Sequence, residues 1–251
     1  MISESLYFSF DGRKSTDYPI ANVNTSTGLY EEPIVANKSI IETKINGNDT
    51  PYFQGVNRDP KQFTLRFVFT EPWNDELIEE IIHWLDVDYY KPLFFSENID
   101  HVFYVQFING ITSIHNGLKE GYLELTARCN SAHHFSHMKS TPLYEVNGDE
   151  NISIVNKGRN TIKPTIYITK VGEGDVSIFN LTNRNEEFKL QNLEDGERLI
   201  VNCLSEEIET NIKDIYRYDD FNDNYLSLVY GKNRLKIVGD AKVLFEYRYI
   251  Y

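Results

Sequence analysis

In the last third of the chain apolar and polar residues alternate with a period of two between turn residues. That pattern restricts the region to short, half-buried strands. One block runs from Gly196 through Leu199 and Val201 to Cys203. A second, Leu228 to Ile237, passes through a Gly231-Lys232-Asn233 turn, and a third runs from Val243 to Tyr251. That alternation, between turn residues, argues for strands rather than helices, whose apolar residues recur three and four apart. The third block predicts a sequence that closes inside a sheet, because fraying would wet its aromatic face.

The same reading extends upstream. Residues 152–156, 165–169, 176–181, 187–190, 197–203, 225–229, 233–238 and 243–251 read as strands, broken by Asn-Lys-Gly, Val-Gly-Glu-Gly and Asp-Gly turns. Short strands at this spacing predict a β-sandwich of jelly-roll type.

The first half is patterned differently. A strand over residues 6–10 meets Asp11-Gly12, a hairpin signal, and a polar segment covers 22–28. A second hairpin climbs through 39–45, turns at Asn46-Gly47 and returns through a Pro- and Gly-interrupted stretch over 50–60. Phe63, Leu65, Phe67 and Phe69 then fall on one face of a strand. The one strong helix follows, with Leu77, Ile78, Ile81, Ile82 and Leu85 at helical spacing and Glu76, Glu79, Glu80 and His83 outward. Asn74 is its expected N-cap, and Trp84 is expected at the flank of the apolar stripe, sealing the core's edge. Strands over 92–95, 101–108 and 121–129 complete an antiparallel sheet crossed by one helix. The fold class is therefore mainly β: an α+β domain over residues 1–139, then a jelly-roll sandwich over 140–251. The boundary lies where periodicity stops, in residues 130–140, read as a solvated hinge.

Composition narrows the function. The net charge of −13 argues against gripping nucleic acid or an anionic membrane through a basic patch. No apolar run approaches the length of a membrane span, and Met1-Ile2-Ser3-Glu4-Ser5 has no secretory character. Cys129 and Cys203 sit at the ends of strand-like runs in different domains, which predicts buried free thiols and synthesis in a reducing cytoplasm. His133 and His137 are four apart, with His134 between them. No carboxylate stands at ligand spacing, so they read as linker rather than as a zinc site. Asp219, Asp220 and Asp223, interleaved with Asn222 and Asn224, lack the central glycine and terminal glutamate of a calcium loop and read as a solvated turn. Glu206, Glu207 and Glu209 read as an exposed charged stretch. No nucleophile elbow or phosphate loop occurs. No catalytic, cofactor-binding or metal residue is nominated, and no binding residue is assigned.

The order of these elements resembles the distal tail proteins of siphophages. The resemblance rests on Phe8-Ser9-Phe10-Asp11-Gly12, the hairpin arm, Arg58-Asp59-Pro60 before a strand and the single helix. It continues through Lys91-Pro92-Leu93, Tyr122 to Cys129, Asn156-Lys157-Gly158 followed by Lys163-Pro164, and the Gly196 and Gly231 blocks. The chain departs from the family in the length of its polar loops, 22–28 and 210–224.

The resemblance implies a structural virion protein, not an enzyme and without cofactor, assembled in the bacterial host cytoplasm into the tail tip. Its N-terminal domains would form a hexameric ring, or two stacked rings, leaving a channel for DNA, and its sandwich over 140–251 would be galectin-like or carbohydrate-module-like. Its partners would be the tail tube protein, a tail-associated lysin or tail fibre, and receptor-binding or baseplate proteins. Around a DNA passage, carboxylates are expected to line the lumen, because cations would hold the phosphates. A carbohydrate-binding adhesion module is the alternative, and a glycan-cleaving enzyme a third reading.

Overall fold

The computed structural model describes residues 5–23, 33–116 and 118–251, so residues 1–4 and most of the polar segment 22–28 lie outside the described residues. The chain divides into two compact units, Met1–Phe135 and Ser136–Tyr251. Among the described residues there are nineteen strands and one α-helix, so the molecule is mainly β.

In the first unit, β1 (Phe8–Phe10) turns through Asp11 and Gly12, at φ 48° and 82°, into β2 (Arg13–Lys14). Left-handed conformations at both turn positions match the twist of the flanking strands, which is why Asp-Gly signals a hairpin. β3 (Ile20–Asn22) follows, and among the described residues β4 (Lys38–Thr43) and β5 (Tyr52–Arg58) pair only with each other. β6 (Gln62–Phe69), β7 (Lys91–Phe95), β8 (Asn98–His115) and β9 (Gly121–Cys129) complete a seven-stranded antiparallel sheet ordered β2-β1-β7-β8-β9-β6-β3. β8 is much longer than the 101–108 expected. Asn109 and Gly110 take left-handed conformations, and the strand bulges there and resumes, so that Ile108 faces Thr126 while Thr112 faces Glu124.

Helix α1 (Asp75–Leu85) starts where the N-cap signal places it: the Asn74 side-chain oxygen accepts the Leu77 N–H at 2.8 Å. Ile81 and Leu85 are buried as the helical spacing requires. Trp84 corrects the expectation of an edge seal. Its ring stacks between Phe8 and Tyr18, at 5.3 and 4.8 Å, and its indole N–H donates to the Phe10 carbonyl at 2.9 Å. The β1 phenylalanines supply a ring surface and an acceptor together, which a buried indole needs.

The second unit is a two-sheet sandwich. One sheet holds β10 (Lys139–Ser140), β11 (Tyr144–Val146), β13 (Thr165–Lys170), β16 (Arg198–Asn202), β17 (Glu207–Thr210) and β19 (Ala241–Tyr247). The other is ordered β12 (Asp149–Asn156), β18 (Gly231–Val238), β14 (Gly174–Asn180), β15 (Glu186–Leu193). Ile166, Val201 and Phe245 from the first sheet share one core with Ile154, Ile178 and Leu235 from the second. Glu206, Glu207 and Glu209 are exposed as expected, but Glu207–Thr210 is a strand of the sheet, with Ile208 buried between the carboxylates.

Residues 225–229 are corrected as well. They are not a strand; a single bridge joins Leu228 to Ile162. Leu226 and Leu228 are nonetheless buried, and side chains replace the missing neighbour. The Asn233 amide accepts from Val229 N–H at 2.9 Å and donates to its carbonyl at 2.8 Å. Asn180 donates to Ser227 O at 2.8 Å and to Asn233 Oδ1 at 3.0 Å, and Asn156 donates to Leu228 O at 3.1 Å. All three asparagines are fully buried and their amides are satisfied in this network.

Candidate functional site

The β4–β5 hairpin is the region of the first unit with the least reason to fold against its own chain. Asn46-Gly47 makes the turn, with Gly47 at φ 87°, and Asn48 N–H closes it on Ile45 O at 3.1 Å. At the root Asp59 N–H donates to Asn37 O at 2.9 Å. The register pairs Ile40 with Val56, Ile41 with Gly55 and Glu42 with Phe53, with a bulge between Ile41 and Glu42. Directly paired residues share a face. One face therefore carries Lys38, Ile40, Glu42, Phe53, Val56 and Arg58, and the other Ile41, Thr43 and Tyr52.

Every residue of β4 is exposed, and in β5 all but Gly55 are. Ile40 is 62% exposed and Phe53 68%. Scattered exposed apolar residues need no explanation, but β-branched and aromatic groups on both faces of one isolated hairpin do. A two-stranded hairpin in water is marginally stable by itself, so a covering partner would stabilise it. The turn and alternation were legible in the sequence. What the sequence did not show is that neither face meets the first unit's own core.

The histidines fall elsewhere. Residues 130–135 are not a solvated linker: Phe135 and Val102 exchange both backbone hydrogen bonds, at 2.7 and 2.9 Å, and Lys61 N–H donates to Ser131 O at 3.1 Å. The His134 ring packs against His101 and Phe103 at 4.5 and 5.0 Å. From Ser136 onward the chain belongs to the second unit, where Ser136 N–H donates to Tyr249 O at 3.0 Å. No three histidine, cysteine, aspartate or glutamate side chains gather in metal-binding geometry among the described residues. Cys129 and Cys203 are buried, and burial pushes both thiols up to about 12.

The acidic stretch after Lys213 is not merely a solvated turn. Arg217 is buried, donating to both oxygens of buried Glu197 at 2.9 and 2.8 Å and to Asp220 at 2.8 Å. Burial opposes ionisation of Glu197. Hydrogen bonds from Arg217, the Glu194 N–H and Thr210 outweigh it and hold that carboxyl below its usual range. A cleft of about 560 Å³ lies elsewhere in the second unit, between Lys163, Glu186, Glu206, Asp223 and Tyr225. Its polar groups are largely bonded to one another: Lys163 to Glu206 at 2.9 Å and Tyr225 OH to Glu206 O at 2.8 Å. No helix among the described residues is long and apolar enough to cross a membrane.

Comparison with known proteins fits this architecture. Residues 3–131 match the family model described as a phage tail protein N-terminal domain, and residues 134–247 match a phage tail C-terminal domain. A curated relative, the SPbeta prophage-derived uncharacterized protein YomH of Bacillus subtilis strain 168, is 33% identical over 252 residues, covering 100% of both chains. The crystal structure of SPP1 Dit, described as a paradigm of the hub adsorption apparatus in phages infecting Gram-positive bacteria, superposes with a TM-score of 0.72 at 16% identity, covering 97% of this chain and 98% of that one. A chain of the phage P2 baseplate in its activated conformation matches with a TM-score of 0.52 at 8% identity, covering 97% of each chain. The resemblance read from the order of elements is thereby established: this chain belongs to the phage tail protein family defined by those two domains, and its fold is that of a Dit-like tail protein.

Proposed function

We propose that this protein is a structural hub of a phage tail tip, built from copies of itself through the first unit. The observation that carries the reading is the β4–β5 arm, a sheet with apolar residues exposed on both faces. Seating the arm on a neighbouring copy buries those residues, and closing a ring leaves no subunit's arm uncovered. Six copies are the family expectation, with the tail tube on one side and baseplate, lysin or fibre components on the other. The net charge of −13 supports a channel wall that would let a duplex slide rather than hold it. In this reading the protein performs no chemistry, and its place is the virion.

Negative-stain microscopy of the purified full-length chain tests the proposal. Annular particles with a central hole are expected at high protein concentration; isolated particles at every concentration would reject the hub. A second reading, glycan recognition by the second unit, is favoured by the polar cleft beside Tyr225. Binding of the intact chain to a cell-wall glycan, lost on Tyr225→Ala, would support it.

A further inference from the structure

The hub reading leaves open which surface of the next copy receives the arm, and two unbalanced charge patterns in the first unit answer it. On the arm face that carries Ile40, Phe53 and Val56, Lys38 lies directly opposite Arg58 across the β4–β5 ladder. Both side chains are exposed, and neither forms an ion pair among the described residues. Like charges directly opposite on a sheet destabilise it, so a folded hairpin that keeps this pair gains from carboxylates brought by whatever covers the face.

The complementary pattern lies on α1. From Glu71 to Asp88 the sequence contains no lysine or arginine. Glu76, Glu79 and Glu80 are exposed on the helix's outer side, where carboxylates three and four residues apart repel one another. Among the described residues the helix forms one ion pair, Asp75 with Lys119, at 3.4 Å and largely solvent-exposed. Glu80 has Arg13 in its neighbourhood, whereas Glu76 and Glu79 have no cation partner among the described residues.

Resting on the hub reading, we propose that the arm of one copy docks on α1 of the next. Lys38 and Arg58 then meet Glu76 and Glu79, while Ile40, Phe53 and Val56 leave water. The two patches are different surfaces of one chain, so the contact is head-to-tail, the kind that generates rings when the rotation closes. Charge placed this way sets register and orientation, and the apolar residues supply the burial.

Charge exchange in the full-length protein tests this, read by sedimentation velocity at low salt with urea unfolding as a control on the fold. Lys38→Glu/Arg58→Glu is expected to raise the concentration needed for assembly by about tenfold or more. Glu76→Lys/Glu79→Lys is expected to do the same, although it makes the chain less acidic; relief of general self-repulsion would instead strengthen assembly. Combining all four substitutions should restore assembly toward the parent. If the arm variant assembles like the parent, the charged contact is wrong and the hub stands. If the arm variant is weak and the combined variant stays weak, the receiving surface is not α1, and the proposal falls on that point. If the parent never assembles, the hub reading falls, and this contact falls with it.

Discussion

Two excursions leave the main sheets, the arm in the first unit and residues 211–230 in the second, and they fail to be ordinary strands in opposite ways. The arm is ladder-paired from Lys38 against Arg58 to Thr43 against Tyr52 with one bulge, yet buries almost nothing. The second excursion buries Arg217, Phe221, Leu226 and Leu228, yet forms only isolated bridges. Alternation along a sequence therefore reports two separable things, a fitness for pairing and a demand for burial. In the arm the pairing is met within the chain and the burial is left to a partner. In residues 211–230 the burial is met within the chain, and buried side chains do the work of a neighbouring strand.

The sharpest break of this comparison is Arg217→Met. It should leave Glu197 as an uncompensated buried carboxylate and cost about 3–5 kcal/mol, seen as a lower urea midpoint for the second unit's transition. A loss under about 1 kcal/mol would mean that Glu197 finds water, and that the excursion is not held by this pair. Asn233→Ala should cost somewhat less, about 2–3 kcal/mol, because both backbone groups of Val229 lose their partner inside the protein. Amide exchange at Val229 should accelerate in step.

The arm should behave in the opposite way. Ile40→Ser and Phe53→Ser are expected to leave thermal stability of the unassembled chain within about 0.5 kcal/mol, while each weakens assembly by about tenfold or more. A large stability loss would show that the arm packs on its own unit. The smallest effect concerns pH. Glu197 is held below its usual pKa, so its ionised form contributes stability that is complete above the ordinary glutamate range of about 4.3 and is lost as pH falls through the lower folded value. Acid titration of unfolding should show this slope in the parent and a flatter one in Glu197→Gln.

How much of this was legible in the sequence follows from what each residue type encodes locally. Asn74, Asn46-Gly47 and Asp11-Gly12 act on their own backbone neighbours, and each sits where local chemistry places it. The depth of Trp84 is not legible, because helical spacing fixes only the angle around α1 and the depth comes from Phe8 and Tyr18, far away in sequence. β8 was cut short because Asn109-Gly110 reads equally as a turn or a bulge, and only pairing with β9 decides. The buried asparagines were missed for a similar reason, since Asn is a turn former by habit. A signal was available. Asn156 is in phase with Ile152 and Ile154, Asn180 with Ile178, and Asn233 with Leu235 and Ile237, so each falls on the inward side of its strand. A polar residue in phase with a core face demands buried partners. The exposure of the arm had no comparable signal, because its residues are those of any two-sided strand.

In the proposed hub the arm serves assembly and not the fold of its own subunit. The most direct test replaces residues 40–56 by a short Asn-Gly turn and compares mass photometry and thermal unfolding of this variant with the full-length parent. A monomer with an unchanged melting temperature is expected, beside a parent that forms rings. Assembly that survives the deletion, or a subunit that no longer folds without the arm, would contradict it.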